Sequence, residues 1–264
     1  MANEYLVNSE DMTAVADAIR NKGGTTEALS FPDGFVQAVG AIEAGSGKPW
    51  YEDNSGKVVL QTYDIVSDTA KSIELSRNDT VRRIAISSIT DGGKVSLNYC
   101  KVLESVSFPS LTNGNNQWSI QDMPVLKEIN LPVMTSFGYR LFYKLVAVER
   151  LELPAVTYCS WMCSTDMTSL KELILPVCKG FGDQAFGNAQ KLEAVVLRRS
   201  DAVASLDNVS AFKNSPLTGY GGTYSGHVYV PSALIESYQT ATNWSTYYAN
   251  YPEIFQPIEG SKYE

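Results

Sequence analysis

The sequence predicts an α/β repeat fold, a short solenoid whose coils of about 22 residues each add one strand to a parallel sheet. Near copies of one octapeptide are the first sign: LKEINLPV at 126–133, VERLELPA at 148–155 and LKELILPV at 170–177. The repeat spacing is the second, since six units begin 22 or 23 residues apart, at Val81, Leu103, Leu126, Val148, Leu170 and Leu192. Both ends of the stack are predicted to be capped, and a small helical segment is predicted to precede it.

The strand of each unit is predicted from alternation. Its paired apolar positions are Ile84 and Ile86, Val106 and Phe108, Ile129 and Leu131, Leu151 and Leu153, Leu173 and Leu175, and Val195 and Leu197. This period of two is typical of a strand with one buried face. In four units a proline follows, at Pro109, Pro132, Pro154 and Pro176, and because proline lacks an N–H donor the strand is predicted to end there.

The segment before the repeats divides into two parts. Residues 1–45 contain NSEDMTAVADAIRNKGG and FPDGFVQAVGAI, whose capping residues and apolar spacing predict two short helices that serve attachment or oligomerisation. Residues 46–80 are predicted to be a linker followed by an N-terminal β cap, in which KVVLQTYDIV and KSIELS form a starting hairpin or sheet. The repeats are then assigned to residues 81–213.

The C-terminal part, residues 214–264, is predicted to hold a loop, a last strand and a helical cap. Polar and glycine residues place the loop near 216–226. The strand contains Val228 and Val230, and Pro231 then begins a helix with Leu234, Ile235 and Tyr238 on one face.

Composition excludes several function classes. The chain has 21 Lys and Arg against 29 Asp and Glu and no basic run, so nucleic acid is not an expected partner. Neither a secretory signal nor a membrane-spanning run is recognisable, and we expect a soluble chain made in the cytoplasm and not inserted in a membrane. The spacing of Cys100, Cys159, Cys163 and Cys178 favours buried structural thiols over a disulfide or metal site, and no cofactor is predicted.

The unit L-K-E-hydrophobic-x-L-P, with phrases such as GFGDQAFGNAQK and the closing YVPSALIESYQTATNWSTY, resembles BspA-like leucine-rich repeat proteins of Gram-positive gut bacteria and their phages. This resemblance covers about residues 81–250. In one unit Cys163 and Ser164 replace the usual Ala-Phe pair. The opening ADAIRNKGGTTEALSFPDGF is similar to an N-terminal segment of phage and prophage tail, baseplate and tail-fibre proteins.

These resemblances imply a non-enzymatic virion component, located in the tail and made in the cytoplasm of the bacterial host. Its N-terminal segment is expected to bind other tail or baseplate proteins and to support a homo-oligomer. Its repeats are expected to bind a glycan or protein of the host-cell surface. The alternative is a bacterial BspA-like adhesin, or a protein-binding repeat protein, with no virion role.

Catalysis is not predicted. With His227 as the single histidine, a nucleophilic triad has no credible base. Glu128, Glu152 and Glu172 fall on outward strand positions, about 4.8 Å apart per coil, where paired carboxylates could cleave a glycosidic bond. The favoured interpretation is a solvated face, with Arg150 interleaved to balance the charge.

Binding is the favoured use of the outward positions. The predicted array comprises Arg83, Ser105, Ser107, Glu128, Asn130, Arg150, Glu152 and Glu172, and it ends in the apolar pair Ile174 and Val196. An exposed apolar pair also fits a subunit contact. Tyr139 and Trp161 occupy one offset in consecutive units. For them, packing in the core behind the turn is favoured over stacking on a sugar ring.

Overall fold

A computed structural model describes residues 17, 50–52, 58–60, 63–91, 93–114 and 118–264, with the side chains of 50–52, 58–60 and 137 left undescribed. The chain divides into two compact units, residues 1–61 and 62–264. Apart from Asp17, the predicted N-terminal helices lie outside the described residues, and the predicted domain boundaries stay predictions. In the first unit, strands β1 (Trp50–Glu52) and β2 (Val58–Leu60) pair antiparallel.

The second unit is a parallel β-solenoid of about six turns, with strands on three faces. The first face holds β3 (Tyr63–Ser67), β5 (Val81–Ile86), β7 (Ser105–Ser107), β10 (Glu128–Asn130), β13 (Arg150–Glu152), β16 (Glu172–Ile174), β18 (Ala194–Val196), β20 (His227–Val230) and β21 (Phe255–Pro257). The second holds β8 (Asn113–Gly114), β11 (Ser136–Phe137), β14 (Tyr158–Cys159), β17 (Gly180–Phe181) and β19 (Ser205–Leu206). The third holds β4 (Ile73–Ser76), β6 (Val95–Asn98), β9 (Trp118–Gln121), β12 (Phe142–Tyr143) and β15 (Ser164–Thr165).

The predicted first-face strands and their register are confirmed. Leu151 pairs with Leu173, Leu173 with Val195, and Val195 with Val228, so the repeat spacing places equivalent residues side by side. These side chains point inward and are at most 1% exposed. Each of the four prolines lies two residues beyond the end of its strand, as their missing N–H donors predict.

One strand per coil is too few, and the α/β class is wrong for the coils. A typical coil has a second and a third strand, and residues 63–91, 93–114 and 118–215 contain no helix. All five described strands of the second face, and the last two of the third, are only two residues long. A two-residue strand has no alternation to detect, which is why the sequence did not reveal them.

Left-handed backbone turns follow the third-face strands. The residues directly after these strands, with φ between 52 and 61°, are Arg77, Tyr99, Asp122, Lys144 and Asp166. Asn188 and Asn214, with φ of 63° and 58°, take the equivalent position in coils that have no third-face strand. Asp and Asn adopt this conformation readily, whereas Tyr and Lys do so less often. Hydrogen bonds between coils hold the turns: the N–H of Lys144 donates to the carbonyl of Thr165, for example, and that of Asp166 to Gly187.

The N-terminal end of the stack is formed by β3 and β4, which come from the strand-like runs of residues 46–80. β3 pairs parallel to β5, and β4 pairs parallel to β6, so the two strands extend different faces and do not form a hairpin with each other. The unit with Cys163 and Ser164 stays in register, with Ser164 opposite Phe142.

β20 occupies the predicted last strand, but two short helices and a further strand follow it where one helix was predicted. Two short helices follow β20, namely α1 (Ile235–Thr240) and α2 (Trp244–Asn250), and 3₁₀ turns lie at Pro216–Thr218, Tyr220–Gly222 and Ser232–Leu234. The further strand is β21, which pairs parallel to the outer edge of β20 and covers its unpaired backbone groups. Among the described residues, no helix is both long and apolar enough to cross a bilayer.

Candidate binding surface

The predicted charged row lies on the outward side of the first face. Glu128, Asn130, Arg150 and Glu152 are exposed, while Glu172 is partly buried. Ladder pairing sets Arg150 beside Glu172 and Glu152 beside Ile174. Asn130 donates a hydrogen bond from Nδ2 to Ser107 Oγ over 2.8 Å.

The ion pairs of this row are internal. Arg150 Nη1 lies 2.6 Å from Glu172 Oε2, and Arg150 Nη2 lies 2.9 Å from Glu152 Oε2. Glu172 Oε1 also accepts hydrogen bonds from Lys262 Nζ at 2.6 Å and from Tyr263 OH at 2.9 Å. Burial alone would raise the pKa of Glu172, but these donors outweigh it and hold the pKa at about 2. The Glu172 carboxylate is therefore ionised at neutral pH and already bound to Arg150, Lys262 and Tyr263.

The prediction that Ile174 and Val196 are exposed is wrong. Ile174 is 3% exposed and Val196 is fully buried, in a cluster with Ile258 and Tyr263. Alternation does place the pair on the outward side, but the chain's own C-terminal residues fold back over it. These residues, 258–263, are called the C-terminal strap below, and they leave Ile174 and Val196 unavailable for a subunit contact.

The N-terminal half of the first face is open. A depression of about 480 Å³ lies over β3, β5, β7 and β10, and its lining includes Asp64, Arg83, Ser105 and Glu128. Small side chains of β5 and β7, namely Ala85, Ser105 and Ser107, also line it. Arg83 Nε lies 4.0 Å from Asp64 Oδ2. Exposed pairs of this kind contribute little energy, so these charges remain available to a partner.

Tyr139 and Trp161 are exposed, which overturns the favoured interpretation that they pack in the core. Their exposed fractions are 47% and 53%, and their rings stack with centroids 4.8 Å apart and planes 23° apart. The next coil approaches Trp161 closely at Gly182, where a Cβ would lie 2.8 Å from the Trp161 backbone nitrogen. Glycine thus allows the next coil to pack directly against the backbone at Trp161.

Cations surround this aromatic pair. The Arg140 guanidinium lies 5.2 Å from the Tyr139 ring centroid and 4.8 Å from that of Tyr143. Lys144 Nζ lies 5.1 Å from the Tyr143 centroid, and the pKa of Lys144 is raised, chiefly by Tyr143. All three distances fall in the range of cation–π attraction. Tyr139, Arg140, Tyr143, Lys144 and Trp161 together are called the aromatic corner.

A polar pocket of about 140 Å³ adjoins the corner on the third face, and Arg140 lines both. Its other polar residues are called the polar shelf: Thr165, Asp166, Gln184, Asn188, Lys213 and Asn214. Asn188 Nδ2 donates to Asp166 Oδ1 over 2.5 Å, and Asn214 Nδ2 donates to Asn188 Oδ1 over 2.7 Å. The ladder holds these amides in fixed orientations.

Sequence reasoning found the aromatic residues of this site and missed its cations and the polar shelf. Arg140, Lys144 and Asn214 were not singled out, although Asp166 and Asn188 recur 22 residues apart directly after the third-face position. That recurrence of Asp and Asn, residues suited to left-handed turns, was the available signal. It marks the turn rather than a binding site, so the site itself emerges only from the stacking of coils.

The cysteines and histidine lie elsewhere. All four cysteines are free thiols and buried, as predicted, and Cys159 Sγ lies 4.0 Å from Cys178 Sγ. Burial dominates and raises the pKa of Cys159. His227 Nε2 lies 2.9 Å from Tyr251 OH, and burial lowers the pKa of His227. The described residues contain no group of three potential metal ligands.

The geometry defines a repeat protein of the parallel β-solenoid class, with an exposed aromatic site on one corner. Six copies of the BspA type leucine rich repeat region match the chain, over residues 75–148 and 90–218. The matched residues make up more than half of the chain, which therefore belongs to this family. Its repeats indicate a surface or protein-binding repeat protein. A search of curated proteins finds no significant match.

Proposed function

We propose that this chain is a non-enzymatic component of a phage tail, in the baseplate or a tail fibre, that binds a host-cell surface through its repeats. Residues 1–45 attach it to other tail proteins and support a homo-oligomer. The solenoid presents the aromatic corner to a glycan or protein of the host surface. The chain is made in the host cytoplasm and resides in the virion.

The exposed stack of Tyr139 and Trp161 is the observation that carries the binding proposal. Keeping two large rings about half exposed forgoes part of the gain of roughly 1.5–3 kcal/mol that full burial of a large apolar side chain gives. Exposed aromatics beside a cation are typical of contact residues in recognition sites. The charged row around Arg150 is a weaker candidate, because its charges already form ion pairs with one another and with the C-terminal strap.

The carboxylates of the first face are poorly suited to catalysis, and this favours a binding role. Glu152 and Glu172 share one cation, Arg150. A general acid needs a pKa near the working pH, whereas that of Glu172 is held at about 2. Glu172 is thus unsuited to donate a proton to a leaving group.

The tail assignment is supported by the similarity of ADAIRNKGGTTEALSFPDGF, at 16–35, to segments of phage tail proteins. The second candidate is a bacterial surface adhesin or protein-binding repeat protein. Membership of the BspA-type family favours it, since that membership indicates surface or protein binding without a virion.

Mass spectrometry of purified phage particles, induced from the source strain, separates the two candidates. Stoichiometric copies in intact particles support the tail protein, whereas presence in host cells and absence from particles would contradict it. Deletion of residues 1–48 is the companion test. The tail proposal predicts lost incorporation with a folded solenoid, while an adhesin keeps its binding to cells.

A further inference from the structure

The aromatic corner and the polar shelf have a chemistry that narrows the class of ligand. We propose that they bind an anionic glycan, a saccharide that carries carboxylate or phosphate groups, and this inference rests on the host-binding function proposed above. A sugar ring packs against the face of the Trp161 ring that Tyr139 leaves open, its hydroxyl groups bind the shelf, and its acidic group binds Arg140.

The aromatic pair suits a sugar ring better than an apolar peptide. An aromatic face carries negative charge density and attracts the polarised C–H groups on one side of a saccharide ring. An apolar peptide side chain would need a concave apolar pocket, as most apolar anchors do. The pocket beside Trp161 is instead lined by amides, a carboxylate and a lysine, with Met162 as its one large apolar residue.

The polar shelf has spare hydrogen-bonding capacity in fixed positions. A primary amide offers two N–H donors and an oxygen with two lone pairs. The ladder described above uses one N–H of Asn188 and one of Asn214. The remaining donors and acceptors match hydroxyl groups, which both donate and accept. Because the ladder already fixes the side chains, less conformational entropy is lost on binding.

Arg140 supplies the preference for an anion. Among the described residues it forms no ion pair, unlike Arg150, and its buried Nε has no hydrogen-bond partner. Two tyrosine rings hold its guanidinium in place. A guanidinium fork binds carboxylate or phosphate oxygens through two parallel hydrogen bonds. Lys213, which also lines the pocket, adds a second cation.

Titration of the full-length chain with three oligosaccharides tests the proposal by calorimetry: an oligogalacturonate, a phosphorylated mannan fragment and a neutral malto-oligosaccharide. We expect at least one anionic probe to bind and the neutral one to bind at least ten-fold more weakly. Which anionic probe binds distinguishes carboxylate from phosphate recognition. Higher salt should weaken the binding, because the contact with Arg140 is electrostatic.

Four variants locate the site. Arg140→Gln and Trp161→Ala should each weaken anionic binding at least ten-fold, while Arg198→Gln and Tyr220→Ala, which alter an exposed cation and an exposed aromatic elsewhere, should change it less than two-fold. Circular dichroism and thermal melts check that each variant is folded. Trp161→Phe keeps an aromatic ring and should recover part of the binding lost in Trp161→Ala.

Three results would overturn the inference. Equal affinity for neutral and anionic probes would contradict the proposed preference for anions. Anionic binding that is unchanged in Arg140→Gln and Trp161→Ala would show that the ligand binds elsewhere. Binding to host cells without binding to any probe would refute the inference that the ligand is an anionic glycan, while the proposed function would stand. If the full-length chain binds no host cells, the host-binding function itself fails.

Discussion

Glu172 is the residue through which three distant parts of the chain meet. It binds Arg150 from the preceding coil and both Lys262 and Tyr263 from the C-terminal strap. Its side chain is 19% exposed, so solvent screens these contacts only in part. The hydrogen bonds compensate for the desolvation of the carboxylate, and this compensation is why a charge can stand beside Ile174.

Glu172→Gln should destabilise the protein at neutral pH. The pKa of the carboxyl is lowered from 4.5 to about 2 on folding, so its stabilisation is present above pH 4.5 and is lost as the pH falls through 2. At about 1.4 kcal/mol per pKa unit the shift sets an upper limit of roughly 3 kcal/mol, and solvent screening of this partly exposed carboxylate makes the measured effect smaller. Urea unfolding at pH 7 and pH 3 measures it, and the difference between wild type and variant should be smaller at pH 3.

Glu149→Gln is the matched control for this prediction. Glu149 Oε2 lies 2.9 Å from Lys171 Nζ, also across one coil, but its side chain is 63% exposed. An exposed ion pair contributes little, so this variant should change stability much less than Glu172→Gln at pH 7. Equal effects of the two variants would contradict the role assigned to the C-terminal strap.

At the scale of elements, the first-face strands and β4 of the third face were predictable, while the two-residue strands of the other faces were not. The octapeptide gives three or more alternating positions, and a fixed proline ends each strand, so both its face and its end follow from the sequence. The two-residue strands of the second and third faces are held by hydrogen bonds between coils. They have too few residues to show a period. Asn113–Gly114 and Gly180–Phe181 contain no pattern that marks a strand.

The contacts by which the C-terminal strap covers the first face could not be predicted from a local sequence pattern either. Ile174 and Tyr263 lie 89 residues apart, and neither segment alone indicates that they meet. For Tyr139 and Trp161, a regular slot in the repeat favoured burial. The slot instead falls at a corner between the second and third faces, where side chains project outward. Repetition therefore fixes which residues are equivalent, but not whether a shared position points in or out.

Removal of residues 258–264 should expose the apolar pair that the C-terminal strap covers. Ile258 and Tyr263 contact Ile174 and Val196, and the loss of two such side chains is expected to cost about 2–4 kcal/mol of unfolding free energy. Uncovered apolar surface on a sheet should also promote association. Urea unfolding and sedimentation over a range of concentrations measure the two effects.

Lys262→Gln serves as the control, because it removes a cation and leaves Ile258 and Tyr263 in place. It should destabilise the protein less than the truncation and produce no association. Unchanged stability and a monomeric state in the truncated chain would show that the C-terminal strap is dispensable for the first face.

In the solenoid as a whole, each coil buries apolar residues of its neighbours, so the stability of one coil depends on the coils next to it. The C-terminal end is the better secured of the described parts. Trp244 donates from Nε1 to the Ala204 carbonyl over 2.7 Å, and the Ala204 N–H donates to Tyr238 OH over 2.9 Å. Trp244 also contacts the rings of Phe181 and Phe212. The helical cap therefore fastens directly to the last coils.

Trp244→Ala should consequently destabilise the stack from its C-terminal end. Trp244 is fully buried, and loss of a buried tryptophan costs about 3–5 kcal/mol. Trp161→Ala is the same substitution at an exposed site and should cost below about 1 kcal/mol. Hydrogen exchange should show lost protection strongest at β19 and β20 and weakening toward β5, because each coil depends on the next. A uniform loss from β5 to β20 would mean that the coils unfold as one cooperative unit, and it would contradict the coil-by-coil account.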